Sequence, residues 1–281
     1  MRIRIDLAYD GGAFHGWAIQ PGLRTVQASF EDALATALRL ERVRVVCAGR
    51  TDTGVHARGQ VVHLDVDESV VVRSAGRSQD PPLDALARRL NGILDPDVRV
   101  RRVVAAPEGF DARFSALQRR YAYRLWDSPH DVDPLRRSHV VAWDRPLDLD
   151  LLTEASAHLV GHRDFASFCR RREGATTIRT LLELSWARDA SGTIEATVVA
   201  DAFCHSMVRS LVGCLLAVGD GRRPTSWSAE VQAGLSRHPA VTVAHAHGLT
   251  LEEVSYPPDD ELAERARLTR ALRTEAGDDD G

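Results

Sequence analysis

A carboxylate placed two residues after a guanidinium, on a loop punctuated by glycine, can be aimed at a bond held beside it. The stretch Ala48–Gln60 reads AGRTDTGVHARGQ and holds Arg50 and Asp52 in that relation. Gly49, Gly54 and Gly59 allow backbone conformations closed to other residues. Polar side chains on a sharply turned loop between strands are where chemistry concentrates. Asp52 is therefore the candidate acid, base or nucleophile. An ionised carboxylate in a dry cleft needs a cationic partner, because isolated buried charge is very costly. Arg209 can supply it. In His205–Val218 the apolar stripe is Val208, Leu211, Val212, Leu215 and Leu216, and Arg209 lies at its margin. Taken alone, the DTG of the loop also fits a hairpin whose Asp and Thr side chains bond their own backbone. An aspartic-protease reading is set aside: there is one DTG, and Arg50 so close would oppose a proton shared between two carboxylates.

These residues need elements to hold them. Arg2–Tyr9 alternates, with Ile3, Ile5, Leu7 and Tyr9 on one face, and predicts a half-buried strand. Thr25–Leu40 predicts a helix with Thr25 as N-cap and Val26, Phe30, Leu34 and Leu38 on its inner face. Val43–Val46 and Val61–Leu64 predict strands on either side of the Asp52 loop. Asp67–Pro82, with Gly76, Pro81 and Pro82, predicts a mobile connection. A helix over Leu83–Leu94 and a strand over Val98–Ala105 complete a β-α-β-β-α-β order, the ferredoxin-like split βαβ arrangement. Further on, Arg119–Trp126, Val140–Trp143, Ile178–Trp186, Thr193–Ala200 and Leu249–Val254 predict strands. Leu149–Val160 and His205–Val218 predict helices. The spans expected are 1–106 for one domain, 107–258 for a second, and 259–281 for a charged, partly disordered tail.

Composition narrows the class. At 281 residues, with 44% hydrophobic and 27% charged residues, the chain suits about two soluble domains. It has no Lys, so all 36 basic residues are Arg. The net charge of −4 belongs to the tail, where eight acidic residues face four Arg; the rest holds 32 of each sign. Arginines cluster within that neutral body, and a neutral protein binds nucleic acid only where positive charge is gathered locally. Arg58, Arg119, Arg120, Arg170, Arg171 and Arg172 are the candidates for phosphate contacts. Cys47, Cys169, Cys204 and Cys214 show neither CxxC nor zinc-ligand spacing, and predict reduced, mostly buried thiols. With no apolar signal-peptide core at MRIRIDLAYDGG, a cytoplasmic location is expected.

Several segments together resemble the tRNA pseudouridine synthases of the TruA type. YDGGAFHGW (Tyr9–Trp17) resembles the family's opening strand and turn, and TVQASFEDAL (Thr25–Leu34) its first helix. AGRTDTGVHARGQVVH (Ala48–His63) is similar to its catalytic loop. FDARFSALQRRYAYRL (Phe110–Leu125) resembles the segment carrying its active-site Tyr. FCHSMVRSLVG (Phe203–Gly213) resembles the helix carrying its active-site Arg, and HGLTLEEVSY (His247–Tyr256) its closing strand. Thr53, Ala18, Cys204, Ser206 and Ser210 depart from the usual pattern, while Asp52, Tyr121 and Arg209 keep to it. The resemblance implies an α+β fold of two RRM-like domains whose antiparallel sheets meet around a cleft. It implies uridine-to-pseudouridine isomerisation at positions 38–40 of the tRNA anticodon stem-loop, without metal or organic cofactor, by a homodimer. Asp52 would be the catalytic carboxylate, acting on a base flipped out of its stack. It could attack C1′, add to uracil C6, or remove the 2′-proton. Tyr121 would stack on the uracil, and Arg209 would pair with Asp52. Arg50 could hold a phosphate, help extract the base, or be a plain surface Arg. A non-catalytic RNA-binding module with RRM-like domains is the alternative; it lacks an RNP1 signature and leaves Asp52 and Arg209 without purpose.

Overall fold

The computed structural model describes residues 1–128, 130–170 and 176–274, with side chains in the last helix described through Ala271. The elements run β1 (Arg2–Tyr9), α1 (Val26–Leu38), β2 (Val46–Cys47), β3 (His56–Asp65), α2 (Glu68–Ala75), α3 (Pro82–Ile93) and β4 (Val98–Ala105). There follow β5 (Gln118–Trp126), β6 (Val141–Ala142), α4 (Leu149–Ala157), β7 (Gly161–Asp164), β8 (Ile178–Arg188) and β9 (Ile194–Ala200). The chain closes with α5 (Met207–Gly219), α6 (Trp227–Ala233), β10 (Leu249–Ser255) and α7 (Leu262–Thr274). The class is mixed α+β, with seven α-helices among the described residues.

Two compact units emerge. Unit 1 comprises Met1–Leu117 with Leu251–Leu272; unit 2 comprises Gln118–Thr250. These differ from the expected spans 1–106, 107–258 and 259–281, because the turn after β4 and the chain's end grip each other. The Tyr256 hydroxyl donates to Ala112 O at 2.8 Å, and the Ser115 hydroxyl to Leu262 O at 3.1 Å. Arg270 Nη2 reaches Asp111 Oδ2 at 2.6 Å. The segment expected to be a charged, partly disordered tail with room for a short helix carries helix α7, with Leu262 and Ala266 buried. The tip, expected to be disordered, lies outside the described residues.

In unit 1 the strand order is β4-β1-β3-β10, with β2 also on β3, and β1 runs antiparallel to both its neighbours. Strict alternation in β1 buries Ile3, Ile5, Leu7 and Tyr9 and turns Arg2, Arg4 and Asp6 to the other face. Helix α1 buries Val26, Phe30, Leu34 and Leu38, which recur at helical spacing. Each such side chain contributes about 1.5–3 kcal/mol of burial. Thr25 caps α1, its hydroxyl accepting from Ala28 N at 3.4 Å. Asp67–Pro82 is not simply a connection: Asp67 accepts from Ser69 N at 2.8 Å and starts α2, which Gly76 ends at φ +61°.

In unit 2 the order is β5-β9-β8-β7, antiparallel throughout, with β6 pairing β5 in parallel. The sheet is therefore mixed rather than purely antiparallel. Tyr121, Tyr123 and Leu125 of β5 pair with Val198, Ala196 and Ile194 of β9, all buried. Helix α5 lies among this core with ten of its thirteen residues buried.

Candidate active site

In unit 1 the Asp52 loop is held from three sides. From below, the Gln60 side chain is fully buried and donates to Gly49 O at 2.8 Å and to Tyr9 Oη at 3.2 Å. Tyr9 Oη in turn shares a 2.8 Å hydrogen bond with Thr51 Oγ1. A buried polar group so partnered fixes its surroundings rather than destabilising them. From α1, Glu31 Oε1 accepts from Val45 N at 3.0 Å and so ties down the approach to the loop.

The third hold is the Tyr9–Trp17 segment, which interlocks with the loop backbone to backbone. Trp17 N donates to Thr51 O at 3.0 Å, and Gly54 N to Phe14 O at 3.3 Å. Gly11 sits so close that a Cβ there would lie 2.0 Å from Val55 O. Gly16 takes φ +87° with its would-be Cβ 2.9 Å from Thr51 O. Two sequence segments thirty-odd residues apart are thus one structural piece. Within it Asp52 is half-buried, and Arg50 and Thr53 are exposed. Arg58, also exposed, pairs with Glu252 at 2.9 Å.

In unit 2, Tyr121 is buried in β5 and meets the Phe203 ring edge-on at 5.1 Å between centroids. Phe203 leads into α5, which carries Arg209 in its first turn. Arg209 is half-buried, and its Nε donates to Ala244 O at 2.7 Å. The lead-in is further anchored where Arg170 N donates to His205 O at 3.0 Å. Thus Tyr121 and Arg209 belong to one unit and Asp52 with Arg50 to the other.

Of the proposed phosphate-binding arginines, Arg58 and Arg170 are exposed and Arg120 is half-buried. Arg119 is buried instead, with Nη1 donating to Asp201 O at 2.7 Å. Neighbours in a strand face opposite ways, so Arg119 and Arg120 cannot act as a pair. Arg171 and Arg172 lie outside the described residues.

The cysteines hold one surprise. Cys169 and Cys204, expected to be reduced, are joined in a disulfide with Cα atoms 5.6 Å apart. Their separation of 35 residues carries no motif; the β7-β8-β9 meander brings them together. Cys47 and Cys214 remain thiols, and burial pushes their pKa values up to about 11 and about 12. Values that high leave both thiols mainly protonated at neutral pH. Among the described residues no cluster of His, Cys, Asp and Glu could hold a metal ion, and no helix is long and apolar enough to cross a membrane.

Alternation in β5 marks Tyr123 as a core ring, and it is buried; what the sequence does not show is that Tyr123 lies beside Arg209. Its hydroxyl is held well above the usual tyrosine range by burial, against the opposing influence of the Arg209 charge and the His245 backbone. It is thus a neighbour of Arg209 as well as a core ring.

Over nearly its whole length, this α+β chain is similar to known proteins. The family model described as tRNA pseudouridine synthase matches residues 155–257. A tRNA pseudouridine synthase A of Frankia casuarinae is 58% identical over 97% of this chain and 96% of its own length. That of Streptomyces griseus is 56% identical over 99% and 95%, and that of Mycobacterium leprae 53% over 98% and 96%. Among solved structures, a chain of an H/ACA RNP bound to a substrate RNA containing 2′-deoxyuridine overlays with a TM-score of 0.31 at 12% identity. That overlay spans 76% of this chain and 53% of that one, and carries nothing further. The class is that of isomerases acting on uridine. The chain belongs to the tRNA pseudouridine synthase A family.

Proposed function

We propose that this protein isomerises uridine to pseudouridine at positions 38–40 of the tRNA anticodon stem-loop, with Asp52 as the catalytic carboxylate. The observation that carries the reading is the locked Asp52 loop. Side-chain bonds from Gln60 and Tyr9 and backbone bonds with Phe14 and Trp17 fix the loop, yet Asp52 itself stays half-buried at the surface of unit 1. That is how a reactive group is pre-organised. The N1–C1′ bond of uridine breaks, the uracil turns, and C5 bonds to C1′ while its proton leaves and N1 gains one. No electrons are exchanged, so the balance calls for no redox cofactor. Asp52 could open the reaction at C1′, at C6 or at the 2′-proton.

In this reading Tyr121 stacks on the flipped uracil and Arg209 neutralises Asp52 across two RRM-like domains. The order β4-β1-β3 with β2 beside β3 in unit 1 supports that domain type. Arg50 holds a phosphate or helps extract the base. Arg58, Arg120 and Arg170, with Arg171 and Arg172, supply phosphate contacts; Arg58 exchanges Glu252 for RNA. Burial gives Arg119 a structural duty instead. The working form is a cytoplasmic homodimer.

Tritium release from C5-labelled uridine in a tRNA transcript tests this. The wild type should release tritium. Asp52→Asn should abolish release while tRNA binding survives, because phosphate contacts supply affinity. Near-wild-type turnover by Asp52→Asn would remove Asp52 from the reaction. A wild type that binds tRNA without releasing tritium would be a binding module.

A further inference from the structure

Arg209 is aimed by something, and unit 2 shows by what. Ala244 bonds it twice: Ala244 N donates to Arg209 O at 3.0 Å, and Arg209 Nε donates to Ala244 O at 2.7 Å. A guanidinium has five N–H donors in a rigid planar fork. Committing Nε to one fixed carbonyl sets the plane and direction of the rest.

The segment around Ala244 is itself pressed into place. Gly213 follows Arg209 by four residues and so lies on the same face of α5. A Cβ on Gly213 would stand 1.7 Å from Thr242 O, 2.8 Å from Thr242 C and 3.3 Å from Ala244 N. Only glycine lets this backbone come so near, and the atoms it would strike are main chain and cannot swing aside. At its other end the segment rests on Tyr123 of β5. The His245 backbone lies close enough to the Tyr123 hydroxyl to oppose the effect of its burial. A Cβ on Gly248 would lie 2.8 Å from both Tyr123 Cζ and Val141 Cγ2. Val241 and Ala244 are buried between these supports.

We propose that Val241–Gly248 is a strap that aims the Arg209 guanidinium, with Gly213 and Tyr123 as positioning residues that set the strap's height over α5. This rests on the reading that Arg209 serves the reaction. Gly213 touches no reacting atom: it acts through Ala244, and Ala244 through Arg209. A displacement of about 1 Å in a positioned group can cost on the order of a hundredfold in rate. The strap is therefore a place where a single methyl group should be felt in turnover.

The test is single-turnover tritium release with tRNA binding measured separately. Gly213→Ala should slow the chemical step about tenfold or more and leave the tRNA Kd unchanged. Gly92→Ala, where an added Cβ meets nothing within 4 Å, is the control and should be indistinguishable from wild type. The same change is then made on an Arg209→Lys background, where the Nε–Ala244 bond is already gone. There Gly213→Ala should cost less than about twofold, since coupled residues are not additive. An equal loss in both backgrounds would show a general packing defect and overturn the proposal. Full activity of Gly213→Ala beside a slow Arg209→Ala would also overturn it, leaving Arg209's own role intact. Full activity of Arg209→Ala would instead remove the reading on which the strap depends. If Gly213→Ala does not fold, Tyr123→Phe carries the comparison, for it keeps the ring and loses only the hydroxyl beside the His245 backbone. It should be slow with Arg209 present and nearly neutral with Lys there; equal losses would sink the strap.

Discussion

Arg119 and Arg120 adjoin in sequence and part in burial. Arg119 is buried on Asp201 O, so Arg119→Ala leaves that carbonyl short of a donor and should lower stability by about 1–3 kcal/mol. Its tRNA-binding salt dependence should not change. Arg120→Ala should do the reverse, lowering the melt less and flattening the salt slope by about 0.9 if its phosphate lies in duplex RNA. Thermal melts and salt titrations on the two variants give a crossed pattern, and parallel effects would defeat the assignment. His63 offers a pH test. Its Nδ1 accepts from Ala112 N at 3.0 Å, and burial holds its imidazole below the usual range, against the pull of Asp111. As pH falls through about 6.5 the unfolded chain takes up a proton that the folded chain refuses. Stability contributed above that pH is lost as acid is added. Melting temperature should therefore fall more steeply between about pH 7 and 5 in the wild type than in His63→Asn; equal slopes would refute it. Asp111 acts in a lower window. Its burial raises its pKa, but the Phe114 and Arg113 backbone N–H groups, His63 and Arg270 together hold it below the usual range. Its contribution is lost only as pH drops below about 3.9.

Helix α7 shows what an element can hide. Its apolar stripe is Leu262 and Ala266, too thin to stand out among arginines and glutamates. Its hold on unit 1 is mostly polar: Leu262 O to Ser115, and Arg270 to Asp111. Removing residues 259–281 should lower the melting temperature through lost Leu262 burial, about 1.5–3 kcal/mol, and an Asp111 stripped of its ion pair. A truncated protein melting with the full chain would show the helix to be dispensable. The same reasoning separates what was legible in the sequence from what was not. Alternation in β1, the Thr25 cap and the α5 stripe are patterns of side-chain type, and they read directly. Helix α2 did not, because Gly76, Pro81 and Pro82 outweighed the Asp67 cap. The Asp52 loop was legible because its chemistry is written in side chains. The strap over α5 was not, because Ala244 works through its backbone N–H and C=O, which every residue but proline possesses. Gly213 was the one trace of it, and a single glycine in a helix does not say what it makes room for.

At the scale of the whole chain, unit 1 is built from both ends. Leu117 N donates to Ser255 O at 2.8 Å, and β10 lies against β3, where a Cβ on Gly59 would meet Glu252 O at 2.2 Å. A fragment ending at Leu117 leaves that edge of β3 open, and open edges invite pairing with other chains. Such a fragment should associate or exchange its β3 amides rapidly. Adding a peptide of residues 249–274 should slow that exchange; unchanged exchange would show that unit 1 folds without its distal strand. The order of synthesis then matters. On the ribosome the first unit begun is the last that can be finished, since 133 residues of unit 2 are made before its closing strand emerges. At 5–20 residues per second that interval is on the order of ten seconds. For that time the nascent chain carries an unsealed sheet through a crowded exit, and translation runs in the opposite sense to closure.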